Sequence, residues 1–247
     1  MSDTTVSATS PEKSKGLSGS TLKLIAIVTM FIDHLAVAGL TTQTDTYPKL
    51  YFAMRLIGRL AFPLFCFLLV EGFSHTRDVK KYALRLLLFA FISEIPFDLV
   101  FNRQLFYWQY QNVFFTLFTG LVVIALMDHS KHVFHGFLRF MVDCSALVAG
   151  VLLAEFLIYS DYGAMGVLAI VFIYIFRQRQ GNVVAMAVSV LWLSAVQFIE
   201  SASAVDIILV KFYNGKRGLN LKYVFYAFYP AHLLLLYLIF HVILKIS

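Results

Sequence analysis

The sequence predicts an all-α, polytopic integral membrane protein, a bundle of about nine transmembrane helices with a cytoplasmic N-terminus. Of its 247 residues, 60% are hydrophobic and only 14% are charged, whereas soluble domains average about 45–50% apolar and about 25% charged residues. The apolar residues fall into nine runs, and the connections between the runs are alternately rich and poor in basic residues. Together these observations favour a helical bundle in a lipid bilayer.

Residues 1–20 are rich in Ser, Thr, Gly and Lys, so they predict a disordered cytoplasmic tail. Residues 21–247 contain no long linker and are predicted to form one transmembrane domain. The apolar runs of spanning or near-spanning length are 22–42, 50–73, 81–101, 112–128, 138–158, 163–177, 183–200, 203–213 and 223–245. A crossing needs about 20 residues, so it stays open whether the short run at 203–213 fully spans the membrane.

The charges of the connections set the predicted orientation. Basic residues are concentrated in the tail and in every second connection, such as Lys131 after the fourth run. The other four connections carry only Lys49 and Arg103 as basic residues. Because cytoplasmic loops are enriched in Lys and Arg, the N-terminus is predicted inside and the C-terminus outside, and the 203–213 run then has to cross. The net charge of +6 is explained by this topology, so no nucleic-acid partner is predicted.

Ionisable residues occupy the first two predicted spans, where they are costly and mark functional sites. Lys23 and His34 are eleven positions apart, which places them on one helix face about 16 Å apart. Arg55 and Arg59 are four positions apart, and two like charges at this spacing repel, so an anion or carboxylate is expected between them. We therefore predict that Asp33 and His34 form a catalytic group with these arginines, in which His34 is a base facing a paired-arginine anion site.

Further polar residues are predicted to converge on the middle and outer half of the bundle. They come from the third, fourth and last spans and from one connection, and they would orient the base or bind a substrate: Glu94, Asp98, Asn112, Asp161, Tyr229 and His232. Pro230 interrupts the backbone hydrogen bonds beside the last two, an irregularity that membranes tolerate next to a cavity. Pairing of the arginines with Asp33, Glu94 or Asp98 is the alternative, structural interpretation.

Motifs of other enzyme classes are missing from the sequence, which has no P-loop, GxGxxG, HExxH or GxSxG. Cys66 and Cys144 lie inside apolar runs and predict neither a disulfide framework nor a redox motif. His129, His132 and His135 have a spacing that metal sites use, but no acidic ligand accompanies them at fixed spacing. A solvated role is the better interpretation, and no metal is predicted.

Several segments carry a family resemblance over nearly all of residues 22–240. They are Lys-x10-His at 23–34, Arg-Leu-Ile-Gly-Arg-Leu-Ala-Phe-Pro-Leu-Phe at 55–65, Val-Glu-Gly at 70–72, Ser-Glu-Ile-Pro-Phe-Asp at 93–98, Gln-Asn-Val-Phe-Phe-Thr-Leu at 111–117, Asp-Tyr-Gly at 161–163, Gly-Lys-Arg-Gly at 215–218 and Tyr-x2-Tyr-Pro-x-His at 226–232. Together they resemble the TraX family of polytopic membrane proteins. More distantly, they resemble the transmembrane acyltransferases, which include acyltransferase family 3 and the lysosomal heparan glucosaminide N-acetyltransferase.

The resemblance implies that residues 21–247 are an acyltransferase-like domain that moves an acetyl group from cytoplasmic acetyl-CoA to an amine or hydroxyl at the outer face. The founding TraX protein is implicated in N-terminal acetylation of a conjugative pilin, so a pilin or peptide N-terminus or a surface sugar is the implied acceptor. His34 is the implied general base, and Arg55 or Arg59 the implied oxyanion or phosphate contact. The basic residues implied to bind the donor are Lys23, Arg77, Lys80, Lys81, Arg85, Arg177, Arg179, Lys216 and Arg217. The implied location is the cytoplasmic membrane of a bacterium.

Two other function classes stay open on the sequence. An anion or proton transporter or channel would line its path with the same intramembrane arginine and histidine residues, although the internal repeat of such transporters is not evident. A structural or assembly factor would pair its mid-span charges with one another and leave no cavity. The acceptor, the choice between O- and N-acetylation, and the oligomeric state are not predicted by the sequence.

Overall fold

The computed structural model describes residues 16–220 and 222–245, and within these residues the chain is all-helical, with two isolated backbone bridges and no strand. Ten α-helices follow one another, joined by connections that include short 3-10 and π-helical turns. Their bounds are α1 Gly19–Leu40, α2 Pro48–Gly58, α3 Ala61–His75, α4 Val79–Phe101, α5 Val113–Val133, α6 Gly136–Leu152, α7 Gly163–Gln180, α8 Asn182–Val196, α9 Val205–Lys211 and α10 Lys222–Tyr237. The predicted all-α fold class is confirmed for the described residues.

The described chain begins with an ordered segment. Ser18 is the N-cap of α1, and its hydroxyl accepts a hydrogen bond from a backbone N–H of the first turn (3.2 Å). The Leu17 N–H donates to the Phe212 carbonyl (2.8 Å). The last five residues of the predicted disordered tail are therefore part of the folded domain, because backbone hydrogen bonds tie them to the connection before α10. Residues 1–15 of that prediction lie outside the described residues.

The second predicted span, 50–73, consists of two helices. α2 and α3 meet at Arg59 and Leu60, and together Pro48–His75 is long and apolar enough to cross a membrane. Pro63 lies in the first turn of α3 and has no N–H to donate to the Arg59 carbonyl four residues earlier. This missing hydrogen bond favours a break at that point in an otherwise continuous apolar helix.

Five stretches of the described chain are long and apolar enough to span a bilayer: Gly19–Leu40, Pro48–His75, Val113–Val133, Gly136–Leu157 and Tyr223–Ile243. The chain is thus a multi-pass membrane protein. In the short predicted run at 203–213, α9 has seven residues, a length of about 10 Å, and a 3-10 turn precedes it. The count of nine crossings and the cytoplasmic position of the N-terminus stay predictions.

The connections alternate between two ends of the bundle. At the end called the basic end below, the α9–α10 connection bonds to the residues before α1, and Lys131 in the last turn of α5 donates to the Gln178 side chain in α7 (2.7 Å). At the opposite end, the Gln111 N–H before α5 donates to the Tyr159 carbonyl before α7 (2.9 Å). The basic connections therefore lie at one end, as the positive-inside pattern predicts.

The outer surface of the bundle is apolar and its interior is closely packed. In the stretch Gly136–Leu157, large side chains point outward, and Phe137 and Phe156 are 75% and 61% exposed. An apolar belt of this kind is stable against lipid chains rather than water. Inside the bundle, Phe67 of α3 and Ile170 of α7 are completely buried.

α1 and α2 approach closely where Gly58 faces Asp33. A Cβ added at Gly58 would lie 2.2 Å from Asp33 Oδ1 and 2.3 Å from Asp33 Cβ. Such distances are far below van der Waals contact, so only a glycine leaves room for the carboxylate. This approach holds the Asp33 side chain against α2.

We expect Gly58→Ala to destabilise the protein because the new methyl group displaces Asp33. Helix propensity alone predicts the reverse, with Ala favoured over Gly by up to about 1 kcal/mol. The control is Ala53→Gly, which makes the inverse change at an exposed position of the same helix. Thermal unfolding in detergent should show a larger loss for Gly58→Ala than for Ala53→Gly, and a Gly58→Ala protein as stable as wild type would contradict the close approach.

Candidate functional site

A cluster of charged side chains joins α1, α2 and the 3-10 turn that precedes α9. Arg55 Nη1 donates to Asp33 Oδ2 (2.6 Å), and Arg59 Nη2 donates to Asp33 Oδ1 (2.9 Å). Arg59 Nη1 donates to Glu200 Oε1 (3.1 Å) and to the Tyr162 hydroxyl (3.4 Å). Most of this arginine–carboxylate cluster is buried, and the Arg55 side chain is its most accessible charged member, at 25% exposure.

The two arginines come together as predicted, but a carboxylate of the chain itself lies between them. Asp33 occupies the place where the sequence interpretation put an anion between Arg55 and Arg59. The structural alternative therefore holds for Asp33, while Glu94 and Asp98 form no ion pair with either arginine in the described chain. The guanidinium groups are already neutralised, so the geometry does not favour them as an open oxyanion site.

Glu200 is the member of this cluster that sequence reasoning missed. It is fully buried and 141 residues away from its partner Arg59. Its only signal in the sequence is an acidic residue at the end of the apolar run 183–200. Tyr162, also outside the predicted site, stacks on Phe62 (ring centroids 3.6 Å apart) and places its hydroxyl at the same guanidinium.

His34 lies on the neighbouring face of α1 and contacts α10. His34 Nδ1 and His232 Nε2 are 2.7 Å apart, and His232 Nδ1 donates to the Phe228 carbonyl (2.8 Å). The Tyr229 ring lies edge-on to both imidazoles, with its centroid 5.9 Å from that of His34 and 5.6 Å from that of His232. The predicted base thus meets two of the predicted orienting residues, and His34 with His232 is called the histidine pair below.

Asn112 and Glu94 form one polar unit at the start of α5. Asn112 is fully buried, and its side-chain oxygen accepts from the Phe114 N–H (3.1 Å), which caps α5. Its amide nitrogen donates to the Ala90 carbonyl (2.8 Å) and to Glu94 Oε2. Glu94 Oε1 is buried and has no hydrogen-bond partner among the described residues. One carboxylate oxygen therefore stays available beside α5.

Asp98 and Asp161 fix connections at the opposite end. Asp98 accepts from the Tyr107 N–H (2.7 Å) and from the Asn102 side chain (3.1 Å). Asp161 Oδ1 accepts from the Tyr110 hydroxyl (2.7 Å). Both carboxylates thus have a structural role. The spacing of these residues along the chain could not distinguish this role from the predicted substrate binding.

A cavity of about 440 Å³ opens at the basic end and extends between α1, α3, α4, α5 and α10. Its mouth includes the connection before α10. Because α1 and α10 run inward from this end, their deepest lining residues define the inner end of the cavity, which is formed by Met30, Phe65, Val113, Phe114 and Tyr229. The volume lies within the range of about 300–1,000 Å³ that is typical of small-molecule sites.

The cavity lining carries an excess of positive charge from Lys23, Arg85 and Arg217. Over the part of the chain that is described, no carboxylate forms an ion pair with any of the three. Lys23 Nζ lies over the Phe225 ring (5.5 Å), and the Arg85 guanidinium lies over the Tyr82 ring (5.8 Å). Arg85 Nε is buried and has no hydrogen-bond partner within residues 16–220 and 222–245. The cavity therefore offers cations to an anionic ligand.

Glu71 is the one acidic side chain in the cavity lining among the described residues, and it is neutralised. Arg177 from α7 donates to its Oε2, and the Tyr213 hydroxyl donates to its Oε1 (2.9 Å). Arg177 itself does not line the cavity, and its contact neutralises a residue that does. These contacts leave the positive charge of the cavity uncompensated.

The other basic residues predicted to bind the donor are at the basic end but outside the cavity lining. Lys81 pairs with Asp78 (3.2 Å), and a hydrogen bond from the Lys81 backbone N–H lowers the pKa of the Asp78 carboxyl. The remaining residues of the predicted set that do not line the cavity are Arg77, Lys80, Arg179 and Lys216. Of the predicted donor-binding set, Lys23, Arg85 and Arg217 are the members that line the cavity.

The cavity and the histidine pair meet at Tyr229. This side chain lines the inner end of the cavity, and its ring edge faces His34. Lys23, Ile27 and Met30 line the cavity along one face of α1, and His34 follows one turn after Met30. His34 and His232 are not among the lining residues, so a ligand that fills the cavity from its mouth would end at Tyr229, and this ring lies between the ligand and the predicted base.

We expect Arg59→Met to destabilise the protein more than Arg55→Met. Removing Arg59 leaves both Asp33 and Glu200 without this buried partner, and breaking a buried ion pair by removing one member costs about 3–5 kcal/mol. Arg55 pairs with Asp33 alone and its side chain is partly exposed, so its removal should cost less. Thermal unfolding in detergent measures the difference. Adding Glu200→Met to Arg59→Met should recover part of the loss, and an equal or larger loss for Arg55→Met would contradict the assigned pairing.

Comparisons with known proteins agree with the motifs in the sequence. The chain is 32% identical over 239 residues to the Probable fimbrial assembly protein FimC of Dichelobacter nodosus, over 87% of this chain and 92% of that protein. No solved structure matches the chain. Residues 18–240 match the family described as TraX protein. Because this match covers most of its length, the chain belongs to the TraX family, as its motifs predict.

Proposed function

We propose that this protein is a membrane-embedded acetyltransferase that serves the assembly or modification of pili or fimbriae. Membership of the TraX family and similarity to a protein named for fimbrial assembly support a pilin-related membrane function. The observation that carries the acetyl-transfer step is a cationic cavity whose inner end adjoins the histidine pair. In this proposal the protein is a distant relative of the transmembrane acyltransferases.

The chemistry of the cavity suits acetyl-CoA as the donor. Lys23, Arg85 and Arg217 would hold the phosphate groups, and the unpartnered Arg85 Nε is a buried donor that such a group can satisfy. The Tyr82 and Tyr226 rings in the same lining offer apolar faces to the adenine. When bound, acetyl-CoA supplies the acetyl group as an activated thioester.

His34 is the proposed general base. A neutral imidazole can take a proton near physiological pH, and a well-placed base contributes about 10²–10⁴-fold to the rate. His34 accepts the proton that the acceptor amine or hydroxyl loses as its nitrogen or oxygen bonds to the acetyl carbon. It then gives this proton to the sulfur as the carbon–sulfur bond breaks, so the base is regenerated.

Arg55 and Arg59 act in this proposal by holding the site together. Their contacts to Asp33 fix the residue that immediately precedes His34 in α1. Because these guanidinium groups already have carboxylate partners, they take a positioning role in place of the direct oxyanion or phosphate contact that the family resemblance implies. Glu94, with its free Oε1, is the proposed contact for the acceptor.

The proposed location is the cytoplasmic membrane of a bacterium, with the basic end toward the cytoplasm. Cytoplasmic acetyl-CoA then enters the cavity directly. The acceptor, an amine or hydroxyl of a pilin, peptide or surface sugar, approaches from the opposite end. This arrangement moves an acetyl group, but not CoA, toward the outer face.

We expect Lys23→Gln and Arg85→Gln each to weaken CoA binding by about tenfold or more, because a hydrogen bond to a charged group contributes about 1.5–3 kcal/mol. Equilibrium binding of CoA to the detergent-purified protein at fixed ionic strength measures the loss. Arg179→Gln removes a charge at the same end but outside the cavity, and should leave the affinity near that of wild type. Equal affinities for all four proteins would exclude the cavity as the CoA site.

We expect His34→Ala to lower the turnover of acetyl-CoA by about 10²–10⁴-fold while CoA binding is retained. Release of CoA and transfer of labelled acetyl groups in membranes that contain the protein measure the turnover. The control is His135→Ala, which removes the N-cap histidine of α6, away from the cavity. Turnover that is indifferent to His34 would refute the proposed mechanism.

A further inference from the structure

We propose that His232 is a positioning residue that fixes the tautomer of His34 and so selects Nε2 of His34 as the basic nitrogen. This inference rests on the proposed function, because it identifies which atom of the base takes the proton. Three features of the described structure carry it: the geometry of the histidine pair, the chemistry of the Phe228 carbonyl and the packing of the His232 ring.

The two imidazoles lie edge to edge in nearly one plane. Their ring planes differ by 7°, their centroids are 5.0 Å apart, and His34 Nδ1 is 2.7 Å from His232 Nε2. Rings stacked face to face could not bring two nitrogens this close, because the planes themselves would be farther apart. The contact is therefore an in-plane N–H···N hydrogen bond, which requires one protonated and one unprotonated nitrogen.

The Phe228 carbonyl decides the direction of this bond. A carbonyl oxygen only accepts, so His232 Nδ1, at 2.8 Å, must carry a proton. In a neutral His232, Nε2 is then the lone-pair nitrogen and accepts from His34 Nδ1–H. A neutral His34 that donates from Nδ1 has its lone pair on Nε2.

The opposite direction would inactivate the base. It requires a second proton on His232, whose Nε2–H would then donate to His34 Nδ1 and leave His34 Nε2 protonated. His232 is 3% exposed and no carboxylate of the described residues forms an ion pair with it, so a second proton would place an unpaired cation in the protein interior, which is costly. The neutral chain of hydrogen bonds from His34 through His232 to the Phe228 carbonyl is thus the arrangement that the surroundings support.

The His232 ring is held in place from several sides. The residue is 3% exposed, the Phe228 ring stacks on it with centroids 4.7 Å apart, and the Phe31 ring meets it edge-on at 6.1 Å. Such packing prevents the ring from flipping, so its acceptor nitrogen stays aimed at α1. Orienting partners of this kind typically contribute about 10–100-fold to the activity of the histidine they hold in metal sites.

His34 Nε2 is the nitrogen that stays free. None of the hydrogen bonds of the described chain uses it, whereas Nδ1 is bonded to His232. The Phe101 ring lies edge-on to His34 with centroids 5.3 Å apart, and Tyr229 lies on the side of the cavity. An acceptor that donates to Nε2 would therefore displace no hydrogen bond of the described chain.

The direct test is nitrogen NMR of the full-length protein labelled with ¹⁵N-histidine in lipid nanodiscs at neutral pH. His34→Gln and His232→Gln assign the two sets of signals. We expect His34 to show a protonated Nδ1 and an unprotonated Nε2, with a coupling across the hydrogen bond to His232 Nε2. A protonated His34 Nε2 would overturn the proposal, whether or not the protein turns over acetyl-CoA.

The kinetic test compares two substitutions of His232. His232→Gln keeps an acceptor oxygen near the position of Nε2, whereas His232→Leu removes it at similar volume. We expect His232→Leu to lower kcat by about 10–100-fold with the KM for acetyl-CoA unchanged, and His232→Gln to recover most of this loss. Equal kcat values for the two variants, both folded, would overturn the positioning role. Equal turnover by wild type and His34→Ala would instead refute the proposed function itself.

Discussion

The contacts of Arg59 with Asp33 and Glu200 are the constraint on which the interior of the bundle depends. They connect α1, the end of α2 and the turn before α9, segments that are far apart along the chain. No water in the bilayer core can solvate an unpaired charge, so these groups have to meet inside the protein. Because Asp33 faces α2, the next residue, His34, turns about 100° away and reaches α10.

Two kinds of charge are thereby separated within one small bundle. The guanidinium groups of Arg55 and Arg59 are neutralised by carboxylates, and their contacts hold helices in position. The cations of the cavity, Lys23 and Arg85, pack on aromatic rings and have no carboxylate within the described residues. Unpaired charge is stable only where water or a ligand can reach it, so the location of the uncompensated cations indicates a binding site better than the number of arginines does.

The sequence predicted the all-helical fold class and the membrane-spanning stretches because apolar runs of about 20 residues have few alternatives in a bilayer. It also placed His34, His232 and Tyr229 at similar depths of the predicted topology, and the structure brings these three side chains into contact. It did not predict which carboxylate meets which arginine, because Glu200 reaches Arg59 only through tertiary packing. Sequence spacing also did not predict the helix break before Pro63. Nor did it predict which basic residues line the cavity and which lie outside it, because both depend on the packing of side chains.

The position of Tyr229 gives the proposed reaction a direction. The cavity ends at this side chain from the basic end, and the histidine pair lies on its other side. The polar unit of Glu94 and Asn112 belongs to the opposite half, where α5 begins. A donor held by cations at the mouth and an acceptor arriving from the opposite end would therefore meet at one imidazole. The His232 contact leaves that imidazole with one basic nitrogen, so the same hydrogen-bond chain that orders the core also decides where a proton can go.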